Sequence, residues 1–299
     1  MTPATFDDRD GYIWFNGTLM PWRGAKVHVL THALHYASCV FEGQRAYNGK
    51  IFKLEEHTDR LFMSAEMLDM KMPFTRQQIN DANYEVMRVN NLTDCYIRPL
   101  AWRGSEMMGV AAQSTKTNVA IAIWQWPSYF SPAERLKGIR LDLSTWRRPA
   151  PDTAPVKAKA AGLYMICTLG KHAAERKGYD DALMLDYRGL VAEATGANVF
   201  FVINGEIHTP TPDCFLDGIT RRSVIALAKA RGYKVIERAI KPEDMAQATE
   251  CFLTGTAAEV TPVREIGPYK FTPAEVCRAL MADFDAAVGK TAAVKTAAE

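Results

Sequence analysis

Two of the three Asn-Gly pairs in this 299-residue chain constrain its fold more than any other local feature. Asn16-Gly17 interrupts the alternating apolar run YIWFNGTLMPW, and Asn204-Gly205 interrupts a second strand-like run, NVFFVINGEIHTP. Two-residue hairpin turns prefer Asn-Gly because both central positions need a positive φ. Each pair therefore predicts a β-hairpin, and together they favour antiparallel sheets in both halves of the chain.

Helical patterns alternate with these strand signals and indicate a mixed α/β fold. Apolar residues recur at helical spacing in KLEEHTDRLFMSAEMLDM, in LYMICTLGKHAAERKGY and in GITRRSVIALAKARG. The run WPSYFSPAERLKG, with its two prolines, suits an interdomain linker. We predict a smaller N-terminal α/β domain over residues 1–126, an interdomain loop over 127–137, and a larger C-terminal α/β domain over 138–299.

Composition and charge exclude several classes of protein. The chain is 48% hydrophobic and 23% charged, which is typical of a globular protein. Its 36 basic and 34 acidic residues are mixed along the sequence, so we expect no nucleic-acid partner. The acidic, polar start MTPATFDDRDGYIW and the lack of a long apolar run predict no membrane partner and a cytoplasmic location. Six cysteines without a CxxC pair suggest free thiols.

A histidine run, HVLTHALH, offers one possible site. His28, His32 and His35 follow the i, i+4, i+7 spacing of one helix face, which metal-ligand helices share. The run lacks the glutamate of HExxH, and the preceding AKVHVL is strand-like. We therefore predict structural histidines and no metal, and a metal-binding or interaction protein built on this run is the alternative.

Two lysines one residue apart, Lys157 and Lys159, lie among small apolar residues in PAPDTAPVKAKAAGLY. In an extended segment they would point to the same face, so periodicity does not separate them. Desolvation favours the uncharged amine of a lysine, which is the nucleophilic form that makes Schiff bases. Two solvated strand lysines are the simpler interpretation of the pattern alone.

Two glycine-containing turns could hold an anion. In LDGIT, Gly218 precedes a helix whose first N–H groups and dipole would attract negative charge. TGTAAE, residues 254–259, could present consecutive N–H groups as an anion-binding nest. Pyridoxal phosphate would need such a cradle, a lysine, and an acid beside its pyridine nitrogen, for which Glu193 in LVAEATG is a candidate. Ordinary helix caps and an edge glutamate remain the alternative.

Eight segments of the chain, taken in order, resemble one known protein family. The resemblance covers most of the chain, from about Tyr12 to Arg264. The eight segments are KVHVLTHALHYASCVFEGQRAY, EEHTDRLFMSAE, YIRPL, MGV, KAAGLY, AEATGANVF, GITR and GTAAEVTPVR. Together they resemble the branched-chain amino-acid aminotransferases of pyridoxal-phosphate fold type IV. The resemblance implies a two-domain fold, pyridoxal 5'-phosphate as cofactor, and ping-pong transamination of leucine, isoleucine and valine with 2-oxoglutarate to give 2-oxo acids and L-glutamate.

The resemblance also assigns the cofactor site. Its Schiff-base lysine is Lys159, which leaves Lys157 as a bystander, and the tyrosine on the phenolic oxygen is Tyr164. Glu193 is the carboxylate on the pyridine nitrogen. The phosphate contacts are Arg60, Ile219, Thr220 and Thr256, and the other cofactor-binding positions are Gly196, Asn198, Leu216, Gly218 and Gly255. The histidine run binds no metal in this family.

Substrate contacts follow from the same resemblance. They are Tyr36, Phe41, Tyr96, Arg98, Met108, Val110, Trp126, Tyr129, Thr256 and Ala257. Arg98 is the group expected to receive the side-chain carboxylate of glutamate in an otherwise apolar pocket. Tyr36, Met108 and Val110 would come from a partner subunit, so a homodimer or higher homo-oligomer is expected. Each aromatic residue, taken alone, could equally be core.

Two positions depart from the common family pattern and bear on fine specificity. Ala197 stands where many members carry glutamate, and Gln44 precedes Arg45. A D-amino-acid or (R)-amine transaminase, or an aminodeoxychorismate-type lyase, shares the fold and remains the alternative. The runs Tyr96-x-Arg98 and MGV favour the branched-chain activity.

Overall fold

The computed structural model describes residues 5–126 and 135–290, which fall into two compact units. Unit 1 comprises Met1–Pro127 and Pro149–Cys167, and unit 2 comprises Ser128–Arg148 and Thr168–Glu299. This division differs from the predicted domains because residues 149–167, with Lys159, belong to unit 1. The reason is backbone pairing: the Phe41 N–H donates to the Lys159 carbonyl at 3.1 Å, and Ala160 forms a β-bridge with Val40.

Unit 1 is built on a seven-stranded antiparallel sheet against which two long helices pack. Its strands are β1 (Tyr12–Phe15), β2 (Thr18–Pro21), β3 (Cys39–Phe41), β4 (Gln44–Tyr47), β5 (Lys50–Ile51), β6 (Cys95–Arg103) and β7 (Thr117–Gln125), and its helices are α1 (His32–Tyr36), α2 (Leu54–Met67) and α3 (Arg76–Val89). The strand order is β2-β1-β7-β6-β4-β5, and β3 also pairs with β6. Leu61 of α2 and Ile79 of α3 pack with Ile97 of β6 in the core. The Asn16-Gly17 turn joins β1 to β2 with both residues at positive φ, as predicted.

Unit 2 is built on a nine-stranded mixed sheet. Its strands are β8 (Ile139–Leu143), β9 (Asp181–Leu185), β10 (Val191–Ala194), β11 (Asn198–Ile203), β12 (Glu206–Pro210), β13 (Val235–Arg238), β14 (Ala248–Gly255), β15 (Glu259–Ile266) and β16 (Tyr269–Lys270), with helices α5 (Ile219–Ala230) and α6 (Glu275–Ala287). Helix α4 (Met165–Arg176) runs from the end of unit 1 into unit 2 along the chain. The order is β10-β9-β8-β15-β14-β11-β12-β13, and β10 also pairs with β11, so six strands close into a ring.

The predicted mixed α/β class with antiparallel sheets is confirmed. The second Asn-Gly pair joins β11 to β12 with Asn204 and Gly205 at positive φ. All six cysteines are free. Within the described ranges, no helix combines the length and the apolar content that crossing a bilayer requires.

The side chain of Gln44 is a polar group in the apolar core of unit 1. It is fully buried, and neither of its amide atoms has a hydrogen-bond partner among the described residues. An unsatisfied buried amide costs about 1–3 kcal/mol, whereas methionine has a similar shape and no such requirement. We therefore expect Gln44→Met to raise the free energy of unfolding by about 1–3 kcal/mol in denaturant titrations.

The control for this substitution is Gln77→Met, at an exposed position of α3 where the glutamine amide donates to Asp81 at 2.8 Å. A surface change of this kind is expected to alter stability by less than about 0.5 kcal/mol. A loss of stability in Gln44→Met would contradict the interpretation of Gln44 as an unsatisfied core residue.

Candidate active site

The two lysines of the KAKAAGLY run lie in different environments. Lys157 is exposed in a turn that the Ala158 N–H closes on the Pro155 carbonyl at 2.9 Å. The interpretation of the two residues as strand lysines therefore does not hold for Lys157, which lies in a turn. Lys159 is partly buried, and its Nζ donates to the Tyr164 hydroxyl at 2.8 Å.

The residues after Lys159 explain how Tyr164 reaches it. Ala160 pairs with Val40, and a 3-10 helix over Ala161–Tyr164 then turns the chain back. A Cβ on Gly162 would lie 3.2 Å from the Cβ of Ala37, which is tighter than most such contacts. The small residues of AAGLY thus allow the chain to pass close to its neighbours and bring the tyrosine hydroxyl to the lysine amine.

Aromatic and cationic side chains gather beside Lys159 in unit 1. The Lys159 Nζ lies 5.1 Å from the centre of the Phe41 ring, which also makes an edge contact with Tyr164 at 4.8 Å. The Arg98 guanidinium lies 4.8 Å from the Phe41 ring centre and donates to the Tyr96 hydroxyl at 3.2 Å. The structure therefore brings together residues that the sequence analysis assigned to two separate roles, in cofactor binding and in substrate binding.

Two further features complete this group. The ring of Trp126 lies 5.1 Å from that of Tyr96, so another predicted substrate residue adjoins the group. Gly43 is required beside it, because a Cβ there would lie 2.0 Å from the Tyr96 hydroxyl oxygen. Tyr129 lies outside the described residues.

A buried ionic cluster that sequence reasoning missed holds Arg60. Glu42 is fully buried and accepts from Arg60 Nε at 2.6 Å and from Arg60 Nη2 at 2.9 Å. The same carboxylate contacts His57 Nδ1 at 2.7 Å. Burial opposes the charge on Glu42, but Arg60 and His57 outweigh it and hold the pKa of Glu42 well below its usual range. The bidentate pair fixes the plane of the guanidinium.

The signal for this cluster was present in the sequence. His57 and Arg60 are three residues apart in EEHTDR and therefore lie on one face of α2. Burial lowers the pKa of His57, against the opposing effect of the Glu42 carboxylate. The pattern does not predict that Glu42, which directly follows β3, contacts both of these side chains.

Tyr36, Met108 and Val110 form a separate, surface group in unit 1. Their exposed fractions are 44%, 46% and 87%, which are high for apolar side chains. Val29 and Leu34, on the same segment as Tyr36, are also exposed. Several large apolar residues exposed on two segments are typical of a surface that another protein covers.

Asn198 is the centre of the predicted site in unit 2. It pairs with Glu193 across β10 and β11 and with Thr254 across β11 and β14. Its side-chain Nδ2 donates to the Leu216 carbonyl at 2.9 Å and to Glu193 Oε2 at 3.3 Å. Glu193, Leu216 and the end of β14 are therefore held around one amide.

The carboxylate of Glu193 is buried against a cation. Its Oε1 lies 3.4 Å from Nε of Arg148, whose side chain is also buried. A nearby guanidinium and an amide donor both favour the charged form of a carboxylate. The environment therefore supports an anionic Glu193.

The start of α5 presents backbone donors beside Asn198. The helix begins at Ile219, and its N-cap Gly218 carries no side-chain cap. The first helical bond runs from the Arg222 N–H to the Gly218 carbonyl, so the N–H groups of Ile219 and Thr220 lie outside the helical bonding pattern. No acidic residue lies in the first turn. Such a helix start favours a bound anion.

Two turns of unit 2 also adjoin one another. A Cβ on Gly255, the last residue of β14, would lie 3.4 Å from the Cβ of Ala197 and from the carbonyl oxygen of Gly196. Thr256 and Ala257 follow in the turn to β15, and Ala257 is exposed. The unit 2 positions predicted for the cofactor and substrate thus lie on three neighbouring elements: the β10–β11 turn, the start of α5 and the end of β14.

The histidine run does not form one helical face. His32 begins the short helix α1, whereas His28 lies before it, outside any helix. Nε2 of His35 bonds the Val29 carbonyl at 3.0 Å, and both ring nitrogens of His32 bond protein groups.

Known proteins similar to this chain point to one family. Residues 39–266 match the family model for class IV aminotransferases. A probable branched-chain-amino-acid aminotransferase of Rickettsia felis is 46% identical over 89% of this chain and 90% of its own length. A branched-chain-amino-acid aminotransferase of Pseudomonas aeruginosa is 44% identical over 87% of this chain and 86% of its own length.

Solved structures give the same result. The T.th. branched-chain amino acid aminotransferase, determined with pyridoxamine 5'-phosphate, superposes with a TM-score of 0.91 and 41% identity, covering 94% of this chain and 95% of its own. The Escherichia coli branched-chain enzyme gives a TM-score of 0.88 and 37% identity, covering 96% and 98%. This chain therefore belongs to the class IV aminotransferase family.

Proposed function

We propose that this protein transfers the amino group of leucine, isoleucine or valine to 2-oxoglutarate, giving the 2-oxo acid and L-glutamate. Membership of the class IV family makes it an aminotransferase with pyridoxal 5'-phosphate as cofactor, and its relatives support branched-chain amino acids as substrates. The observation that carries the proposal is the Lys159 amine, bonded at 2.8 Å to Tyr164 and lying over the Phe41 ring, which Arg98 also contacts.

The side chains of the chain fit the cofactor. A lysine amine beside a tyrosine hydroxyl, a buried carboxylate at Glu193, and the open helix start at Ile219 match its aldehyde, pyridine nitrogen and phosphate in chemical type. When bound, pyridoxal phosphate supplies an aldehyde that condenses with amines and a cationic ring that accepts electron density from the substrate Cα.

Lys159 has two roles in this proposal. With the cofactor bound, the Lys159 amine would hold its aldehyde carbon, and the same Nζ, when free, would act as the general base and acid for the proton on the substrate Cα. The Tyr164 hydroxyl, which accepts a hydrogen bond from Nζ at 2.8 Å, orients this amine. Because the first product leaves before the second substrate binds, we expect ping-pong kinetics.

The remaining cofactor roles follow the chemistry of each group. Glu193, which contacts Arg148 and Asn198, would face the pyridine nitrogen and favour its protonated form. We assign the phosphate to Arg60, to Thr256 and to the first turn of α5, and the bidentate Glu42 pair keeps the Arg60 guanidinium in a fixed plane.

Substrate binding is assigned to the aromatic group of unit 1. Phe41, Tyr96 and Trp126 offer apolar faces to a branched side chain. The Arg98 guanidinium, stacked on Phe41, offers charge to the side-chain carboxylate of glutamate. This combination explains how one pocket accepts both leucine and glutamate.

We also propose a homodimer as the minimum active unit, in the cytoplasm. The exposure of Tyr36, Met108 and Val110 supports an interface with a second copy, whose pocket these residues would complete. Free thiols at all six cysteines agree with a reducing compartment.

The experiment that tests the proposed function compares three amino donors with 2-oxoglutarate as acceptor: L-leucine, D-alanine and (R)-phenylethylamine. We expect kcat/KM for L-leucine to exceed the other two by at least about tenfold, equivalent to 1.4 kcal/mol. A higher kcat/KM for D-alanine or for the amine would instead identify one of the alternative transaminases of the same fold.

Gly218→Ala is expected to weaken cofactor binding. The added Cβ would lie 2.2 Å from Oδ1 of Asn198, so either the start of α5 or the Asn198 amide must shift. Overpacking of this kind costs about 1–3 kcal/mol, which corresponds to a rise of about 5- to 150-fold in the Kd for pyridoxal phosphate. Fluorescence titration of the apoenzyme measures it. Gly24→Ala, where the new Cβ meets Met20 at an ordinary 3.4 Å, is the control, and equal Kd values in the two variants would contradict the prediction.

A further inference from the structure

His32 is a buried histidine to which the proposed function assigns no role. It is 2% exposed, although it lies on a segment whose other apolar residues face solvent. Its Nε2 lies 2.8 Å from the Gly109 carbonyl oxygen, its Nδ1 lies 2.9 Å from the Ser38 hydroxyl, and its ring stacks on Tyr36 at 4.5 Å. One side chain thus joins its own segment, through Tyr36 and Ser38, to the distant segment of Gly109.

The hydrogen bonds fix the ring in one orientation. The Gly109 carbonyl can only accept, so Nε2 of His32 carries the proton and donates it. In the neutral ring Nδ1 is then an acceptor, and the Ser38 hydroxyl is its donor. Both ring nitrogens are satisfied by this single tautomer, which holds the imidazole plane parallel to the Tyr36 ring within 23°.

The bond to Gly109 reaches the middle of an exposed loop. Met108 and Val110, on either side of Gly109, are 46% and 87% exposed and have little packing to hold them. Other hydrogen bonds hold the two ends of the loop. The Gly104 carbonyl accepts from the backbone N–H of His32 at 2.8 Å, and the Ala112 carbonyl accepts from the Arg103 side chain at 2.9 Å. The His32 side chain therefore bonds the loop at the position between its two apolar side chains.

We propose that His32 is a positioning residue for substrate specificity. Its ring, stacked on Tyr36, holds that side chain in position. Its hydrogen bond to Gly109 fixes the loop that carries Met108 and Val110. In these positions the three residues would line the substrate pocket of a second copy of this chain. This inference rests on the proposed function, which assigns those three residues to the partner's pocket. The proposed function assigns His32 no contact with substrate or cofactor.

The two contacts of His32 can be separated by substitution. His32→Phe keeps a ring against Tyr36 and removes the hydrogen bond to Gly109. His32→Gln replaces Nε2 by an amide that can donate to the same carbonyl. Ser38→Ala keeps the imidazole and removes the hydroxyl that fixes its orientation.

The measurement is KM and kcat of the holoenzyme for L-leucine and for L-glutamate. In His32→Phe we expect the KM for leucine to rise about tenfold while that for glutamate rises less than about threefold, because leucine depends on the apolar wall and glutamate on Arg98. We expect kcat and the absorbance of bound cofactor to stay near wild type. His32→Gln should recover most of the change, and Ser38→Ala should show a smaller rise in the same direction.

The control is His35→Phe, in the same helix, where the only hydrogen-bond partner of the ring among the described residues is the Val29 carbonyl of its own segment. A leucine-to-glutamate KM ratio that shifts equally in His35→Phe, or that stays at the wild-type value in His32→Phe and Ser38→Ala, overturns the inference. If His32→Phe does not fold, His32→Gln and Ser38→Ala decide the same question. A wild-type enzyme that does not use leucine contradicts the proposed function instead, so the two failures are distinct.

Discussion

Lys159→Ala is expected to lower kcat for transamination between L-leucine and 2-oxoglutarate by about three orders of magnitude or more. The substitution removes the amine that holds the cofactor and also the general base and acid for the Cα proton, and the second role alone contributes about 10²- to 10⁴-fold. Steady-state and single-turnover rates of the reconstituted variant measure the loss. Because the Lys159 side chain is partly buried and bonded to Tyr164, circular dichroism is needed to show that the variant folds.

The neighbouring lysine is the matched control for that experiment. Lys157 has the same side chain two residues earlier, but it is exposed in the Pro155–Ala158 turn. We expect Lys157→Ala to keep kcat within about twofold of wild type, as surface substitutions usually do. A Lys159→Ala enzyme with substantial turnover, or a Lys157→Ala enzyme without it, would contradict the assignment.

Glu193→Gln is expected to lower kcat by about two to three orders of magnitude, the usual cost of losing one preorganised electrostatic partner. Glutamine keeps the size and one oxygen acceptor of the side chain but removes the negative charge that holds the pyridine proton. The loss should appear in kcat with saturating cofactor, so pyridoxal phosphate content is measured alongside the rate.

Two observations sharpen this test. Arg148, buried and 3.4 Å from Glu193, loses its charged neighbour in the variant, so the melting temperature must be recorded to separate instability from lost chemistry. Glu206→Gln, in the same unit, removes a charge that pairs with Lys234 on the surface and should leave kcat unchanged. A fully folded Glu193→Gln enzyme within a fewfold of wild-type kcat would rule out the proposed role.

Local chemistry predicted the regular elements well. Both hairpins predicted from Asn-Gly pairs form, as does a third at Asn48-Gly49 between β4 and β5, and the helix expected in GITRRSVIALAKARG spans Ile219–Ala230. These predictions succeed because a positive φ in a turn and the 3.6-residue period of a helix both depend on residues that are close together in the sequence. The class of fold followed from them.

Contacts between distant segments could not be predicted in the same way. Lys159 belongs to unit 1 because its backbone accepts from Phe41 and donates to Ser64, two positions that lie about a hundred residues earlier. Lys157 lies in a turn and not in a strand. The period-two pattern could not show this, because the turn is closed by a backbone hydrogen bond from Ala158 to Pro155.

The site shows the same division. Resemblance supplied Lys159, Glu193 and Arg60, and these remain proposals for the experiments above. The partners that tune them come from tertiary structure: Glu42 on Arg60, Arg148 on Glu193, and the hydroxyl of Tyr164 on Lys159. The energetic cost of the Gln44 amide could not be predicted from the sequence either, because it arises only from the burial of that side chain.

Lys159 is the residue on which the proposed function depends most. Borohydride reduction of the wild-type holoenzyme, followed by proteolysis and mass spectrometry, gives the clearest test of its role because reduction makes the cofactor–lysine bond permanent. We expect a phosphopyridoxyl group on Lys159 and none on Lys157. A reduced cofactor attached to Lys157, or to any lysine other than Lys159, would contradict the assignment of Lys159 as the cofactor-binding lysine.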